Sequence, residues 1–243
     1  MSAPVFVVAT ERLVAGRVTV DGPEGRHAAT VTRTGVGELV SLTDGLGRYG
    51  DGVVVAVDRD RLEVEVEAVV VEPAPQPRFV VVQALPKGDR GEVAVETMTE
   101  VGVDVVVPWA AARCVTRWRD ARGDKALARW RTTAWSAGKQ SRRARFPEVT
   151  GLASTANVTA RLAGAATPVV LHEAASEALV GLSVAETGDV VVVVGPEGGL
   201  TGEELAEFAA AGAGVYRLGD TVLRTSTAGT AALAVLMART RWR

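Results

Sequence analysis

The segment Glu72-Pro73-Ala74-Pro75-Gln76-Pro77 divides this chain into halves that follow different periodicities. Three prolines at alternate positions fix φ and remove backbone donors, so the segment cannot lie in a helix or central strand and favours an extended connector. Before it, every apolar run is short and strand-like. Residues 38–43 end at Asp44-Gly45, a hairpin signal, and 53–57 form a second run. After a turn at 58–60, residues 62–66 alternate apolar and acidic side chains, as a strand with one buried face does. A region of short strands is expected to close into a small barrel, because closure removes unpaired edges.

After the connector the period changes. Residues 79–85 form an apolar strand. Asp89 is placed to cap a helix running to about residue 101, with Val93, Thr97, Met98 and Val101 at helical spacing and Gly102 as its stop. Residues 103–107 form another strand. Asp124 is placed to cap a second helix, in which Leu127, Trp130, Arg131 and Ala134 share a face. Residues 169–172 and 190–194 read as buried strands. Thr201-x-x-Glu204 is a capping box opening a helix that ends near Gly212; a strand over 215–218 and a helix over 227–239 follow. Strands alternating with helices imply a mostly parallel sheet covered on both faces. The expected domains are 1–72, a connector over 73–77, and 78–243.

The formal net charge of −2 argues against a strongly basic nucleic-acid binder, but it averages unlike parts. Residues 1–72 carry −5, residues 73–150 carry +6 and residues 151–243 carry −3. Between Arg113 and Arg145, 11 basic residues face only Asp120 and Asp124, with Trp118, Trp130 and Trp135 interleaved. Basic groups bind phosphates through counterion release, and indole planes stack on unpaired bases. The stretch therefore reads either as an RNA surface or as a solvated basic helix whose tryptophans pack in the core. The single cysteine, Cys114, excludes an internal disulfide and a cysteine metal cage, and His27 and His172 match no zinc spacing, so no metal is expected. All three read as packing residues. Residues 1–11 lack a basic region followed by an apolar core, and the longest strongly apolar run, 190–194, is far short of a membrane span. A cytoplasmic protein with no membrane partner is expected.

Two loops carry the candidate chemistry. Gly195-Pro196-Glu197-Gly198-Gly199-Leu200 follows a strand and precedes a capped helix. Ligands in open α/β sheets bind beyond the carboxyl ends of strands, and glycines there let backbone N–H groups approach a ligand. Its spacing is neither a dinucleotide fingerprint nor a P-loop. The structural alternative is a tight strand-to-helix turn. The second loop, Leu218-Gly219-Asp220-Thr221-Val222-Leu223-Arg224-Thr225-Ser226-Thr227-Ala228, also leads from strand to helix. One arginine among hydroxyl residues at a helix N-terminus suits a carboxylate or a developing anion. Alternatively, Ser226 or Thr227 is only an N-cap and Arg224 a surface charge.

Together the two loops resemble the SPOUT class of methyltransferases, whose C-terminal half forms a trefoil knot. Within that class the chain is most similar to the RsmE family, the 16S rRNA (uracil-1498-N3)-methyltransferases. Pro86-Lys87-Gly88-Asp89-Arg90 with Glu100-Val101-Gly102-Val103, Gln140-Ser141-Arg142-Arg143 with Pro147-Glu148-Val149, and Leu171-His172-Glu173 all look like that family's motifs. His27, Arg33 and the run from Val40 to Gly47 resemble its N-terminal PUA-like barrel. The chain departs from the usual pattern at Gly37-Glu38, where Gly-Asp is common, and at Gly91 and Ala94, where bulkier residues are usual. Lys139 and Ser226 stand where glutamate is common.

The resemblance implies a PUA-like β-barrel followed by a SPOUT domain with a parallel sheet. It implies S-adenosylmethionine as methyl donor and N3 of a uridine in the small subunit's decoding region as acceptor. Carried over by position, the cofactor would be lined by Leu171, Gly195, Pro196, Glu197, Gly198, Leu218, Gly219, Leu223, Thr225, Ser226 and Ala228. Uridine N3–H is a weak acid, so the enzyme must remove its proton or stabilise the uracilate as it forms. Arg224 is the candidate for that stabilisation, with Glu197 and Glu100 as candidate bases; Glu197 also reads as an acceptor that shapes its own loop. Arg142 and Arg143, with Arg17, Arg26 and Arg33 of the barrel, are expected to contact 16S rRNA. A homodimer is expected, with the final helix as one candidate surface. Methylation of a ribose 2′-hydroxyl or another base, or a non-catalytic RNA-binding or ribosome-assembly role, are the competing readings.

Overall fold

The computed structural model describes residues 3–243. They form two compact units: residues up to 74 together with 138–146, and residues 75–137 together with 147–243.

The first unit is built on one sheet. Its strands are β1 (Val5–Val7), β2 (Gly16–Val20), β3 (Leu39–Thr43), β4 (Arg48–Asp58), β5 (Arg61–Val66) and β6 (Val70–Val71). The hydrogen-bonded order is β1-β3-β4-β5-β2, with β6 on β4. The β1–β3 ladder is parallel and the others antiparallel. Leu62, Val64 and Val66 of β5 are buried with Val40, Leu42 and Val54, as the alternating pattern requires. Among the described residues no ladder joins β1 to β2, the two ends of this order. The short helix α1 (Gly22–Arg26) runs on as a wide helical turn over His27–Val31. His27 is exposed there and fills no core, contrary to the packing reading.

The segment 138–146 belongs to this unit through the β3–β4 turn. Gly47 N–H donates to Ala144 O at 2.9 Å, Phe146 N–H to Gly45 O at 2.8 Å, and Thr43 Oγ1 to Ala144 O at 3.1 Å. Asp44 Oδ1 accepts from Leu46 and Arg48 N–H, closing the turn. Gly45 has φ +71°, and a Cβ there would stand 3.0 Å from the Phe146 ring, so both conformation and space demand glycine.

The second unit is a parallel sheet with helices. Its strands are β7 (Arg78–Ala84), β8 (Val105–Trp109), β9 (Glu148–Val149), β10 (Thr167–Leu171), β11 (Glu177–Ala178), β12 (Asp189–Val194) and β13 (Gly214–Arg217). They run in the order β11-β13-β10-β12-β7-β8-β9, every ladder parallel. The five valines of β12 are all buried, the signature of a strand covered on both faces. The helices are α2 (Arg90–Val101), α3 (Asp120–Gln140), α4 (Thr155–Ala163), α5 (Gly202–Ala210) and α6 (Thr225–Ala238). Gly102 ends α2 in the left-handed region at φ 115°. The Thr201–Glu204 capping box forms, and Glu204 also accepts from Ala112 N–H at 2.8 Å.

Helix α3 begins at Asp120, four residues before the expected cap at Asp124. Gly123 lets that extra turn abut Trp118, since a Cβ at 123 would lie 3.0 Å from the Trp118 backbone. Trp130 is buried and meets Trp118 edge-on at 5.0 Å, so these two tryptophans are core; Trp135 is exposed. Eight residues of α6, including Leu233 and Leu236, are buried within this chain, so most of that helix belongs to the core. Helix α6 packs on α2, β7 and β12.

Candidate active site

The parallel order sets β10, β12 and β13 side by side, and their carboxyl ends deliver three loops to one place. A cavity of about 330 Å³ opens there. Its apolar wall is Leu171 from the end of β10, Val194 from β12, Leu218 and Leu223 from the loop after β13, and Ala228 from α6. Gly195, Pro196 and Glu197 supply the rim from the β12–α5 loop. A Cβ at Gly219 would meet nothing within 4 Å, so its backbone faces open space at the cavity.

Nine of the eleven expected cofactor positions line this cavity: Leu171, Gly195, Pro196, Glu197, Leu218, Gly219, Leu223, Thr225 and Ala228. Gly198 and Ser226 do not. Gly198 backs onto Arg113: a Cβ there would lie 3.0 Å from Arg113 Cβ, and Arg113 Nη1 donates to Gly198 O at 3.1 Å. That glycine makes room for packing. Ser226 is buried in the first turn of α6.

Arg224 lines the cavity, exposed, at the N-cap position of α6, beside backbone N–H groups that have no partner within the helix. Glu197 lines it too, and its Oε1 accepts from Lys87 N–H at 3.0 Å, tying the β12–α5 loop to the β7–α2 loop. Glu100 lies outside. It is exposed in the last turn of α2, whose first residue, Arg90, reaches the cavity; ten residues of helix separate the two by about 15 Å. His172 also lines the cavity, with Nδ1 accepting from Ala174 N–H at 3.1 Å, a bond that shapes the turn after β10. Arg90, Tyr216 and Thr221 also line it, residues to which sequence reasoning assigns no role. The missing signal was pairing: β7 lies beside β12, which brings the start of α2 next to the β12–α5 loop.

Cys114 is buried, and burial pushes its thiol pKa up. Among the described residues no group of three or more His, Cys, Asp or Glu side chains is placed to hold a metal, and no helix is long and apolar enough to cross a membrane.

The five expected RNA-contacting arginines all belong to the first unit. Arg26 and Arg33 are exposed, as is Arg142, which has φ 56°. Arg17 forms an exposed cross-strand pair with Glu65 at 3.6 Å. Arg143 is half-buried, with Nε donating to Arg145 O at 2.9 Å, so it is committed to local structure. Other basic groups of the 113–145 stretch are committed likewise. Arg113 and Arg117 donate to backbone carbonyls, Arg131 to Val149 O, Arg145 to Glu72 O, and Lys139 pairs with Glu24.

A family model described as an RNA methyltransferase domain matches residues 72–237, and one described as an RNA methyltransferase PUA domain matches residues 20–67. The chain is 47% identical to ribosomal RNA small subunit methyltransferase E of Mycobacterium tuberculosis, over all of this chain and 94% of that protein. The corresponding Bacillus subtilis protein is 27% identical, over 91% of this chain and 90% of its own length. A crystal structure of a Neisseria gonorrhoeae ribosomal RNA small subunit methyltransferase E bound to S-adenosylmethionine superposes with TM-score 0.85 at 26% identity, covering 98% of each chain.

Proposed function

The chain belongs to the RsmE family of S-adenosylmethionine-dependent 16S rRNA methyltransferases, and from that premise we propose that it methylates N3 of a uridine in the decoding region of the small subunit. The observation that carries this reading is one cavity at the ends of β10, β12 and β13, walled by both motif loops, with Arg224 among its lining residues.

The cavity fits the methyl donor. Its volume is in the range of small-ligand sites, its walls combine an apolar patch with charged and hydroxyl groups, and the backbone at Gly219 borders open space. Leu171, Leu218, Leu223 and Ala228 would hold an adenine, with loop backbone groups as hydrogen-bond partners. When bound, S-adenosylmethionine supplies a methyl group already activated by its sulfonium. The protein's task is then to favour the N3-deprotonated base. Arg224 places positive charge where the uracil ring gains negative charge, aided by the N-terminus of α6. Glu197 positions the loop through its bond to Lys87 N–H.

We read Arg26, Arg33 and Arg142 as contacts to rRNA phosphates, on the basis of their exposure. An enzyme acting on 16S rRNA works in the cytoplasm. We also infer a homodimer: Val222 and Leu223, 78% and 39% exposed beside the cavity, offer apolar surface for a second copy.

The test is incubation with labelled S-adenosylmethionine and small subunits from cells lacking the endogenous activity, with mass-spectrometric mapping of the product. 3-Methyluridine in the decoding region supports the proposal. A ribose methyl group moves the acceptor, and binding without transfer removes the catalytic reading. Arg224→Ala should lose turnover of about 100-fold or more while keeping the fold. Light scattering tests the dimer.

A further inference from the structure

Helix α3 sorts its side chains by angle. At about 100° per residue, Arg122, Lys125 and Arg129 fall within about 60° of arc, and Thr132, Thr133 and Ser136 extend the same stripe. The buried side of the helix, Gly123, Ala126, Trp130, Ala134 and Ala137, lies next to this stripe, and Asp120 and Asp124 lie roughly opposite it with Arg131 between them. All three basic side chains are exposed. Among the described residues, Arg122 and Lys125 have no side-chain partner, unlike most basic groups of the stretch. Arg129 is tied to Glu92 through Nε at 2.9 Å. A groove of about 490 Å³ runs between Glu92 of α2 and Lys125, Arg129, Thr132 and Thr133 of α3.

We propose that this stripe is an RNA-backbone track, in which Arg122, Lys125 and Arg129 bind consecutive phosphates and the hydroxyls below them add hydrogen bonds. The inference rests on the methyltransferase reading for its substrate. The physical argument is that three basic groups share one face of the helix with none of its acids, while Arg131 on the far face is spent on Val149 O. A basic face kept only for solubility has no need to exclude acids, whereas this helix keeps its two exposed acids on the far side. From Arg122 to Ser136 the stripe spans about 21 Å, enough for several phosphates of one strand. Lysine, arginine and hydroxyl donors on a regular helix recognise the repeating backbone and carry no base preference.

The experiment uses the full chain carrying Arg122→Gln with Lys125→Gln, and a second variant carrying Arg122→Glu with Lys125→Glu. Arg129 is left in place because its loss would also free Glu92. Binding to small-subunit rRNA is followed by fluorescence anisotropy between about 50 and 200 mM salt. The neutral variant should bind about tenfold more weakly, with a slope of log K against log salt shallower by about 1.5; the acidic variant should be weaker still. Affinity for S-adenosylhomocysteine should be unchanged in both, which separates the track from the donor site and from misfolding. RNA affinity within twofold of the parent with an unchanged slope would overturn the proposal. Absence of methyl transfer by the parent protein would count against the methyltransferase reading alone, because the binding slopes do not depend on turnover.

Discussion

Lys139 Nζ lies 2.8 Å from Glu24 Oε1 and 2.7 Å from Glu24 Oε2, both side chains mostly withdrawn from water. The second oxygen also accepts from Val7 N–H at 3.2 Å, so one carboxylate joins α1, β1 and the segment 138–146. Removing either partner strands a half-buried charge. Glu24→Gln and Lys139→Met should each destabilise by about 2 kcal/mol, and the double variant by clearly less than their sum. Urea denaturation of the four proteins measures this, and strict additivity would show that the pair is not coupled.

Gly91 occupies a helical position, where glycine costs about 1 kcal/mol relative to alanine. Here the space is already filled: a Cβ would stand 2.5 Å from Trp130 Cζ2. Overpacking against a buried indole should outweigh the gain in helix propensity. Gly91→Ala should therefore lower stability by about 1–2 kcal/mol, and Gly91→Leu by more, as shifts in thermal midpoint.

That glycine illustrates what the sequence made legible. Local chemistry was readable: the Thr201–Glu204 box, the Gly102 stop and the alternation of Leu62, Val64 and Val66 are each dictated within a few residues. Choices made by distant partners were not. Gly198 and Gly219 look alike in their loops, yet one backs onto Arg113 and the other faces the cavity. Arg90 stands in a motif visible in the sequence, but its place at the cavity follows from β7 pairing with β12. The return of 138–146 to the first unit depends on Phe146 packing against Gly45 and Gly138, a fit that no periodicity announces.

The Arg78–Asp189 pair joins the first residues of two neighbouring strands, with Nε and Nη2 each 2.7 Å from a carboxylate oxygen. The hydrogen bond from Arg78 holds the Asp189 carboxyl below its ordinary range, against the opposing effect of burial. A folded value below the unfolded one means the pair stabilises above about pH 4 and loses that contribution as pH falls through the folded value. Asp189→Asn should thus be less stable than the parent near pH 7, with the gap closing at lower pH. Denaturant midpoints from pH 7 to pH 2.5 give the curve, and a gap that widens on acidification would reverse the sign.

Glu197 stands at the cavity and could act as a base or as an anchor, and the two roles respond differently to an isosteric amide. Its Oε1 already accepts the Lys87 N–H, so the anchoring role needs an acceptor oxygen and no ionisable group. Glutamine keeps such an oxygen; alanine removes it and frees both loops. Glu197→Gln should therefore retain kcat within about fivefold, whereas Glu197→Ala should raise the KM for S-adenosylmethionine about tenfold. A general base contributes about 10²–10⁴-fold, so a loss of that size in Glu197→Gln, with donor affinity intact, would assign proton removal to Glu197.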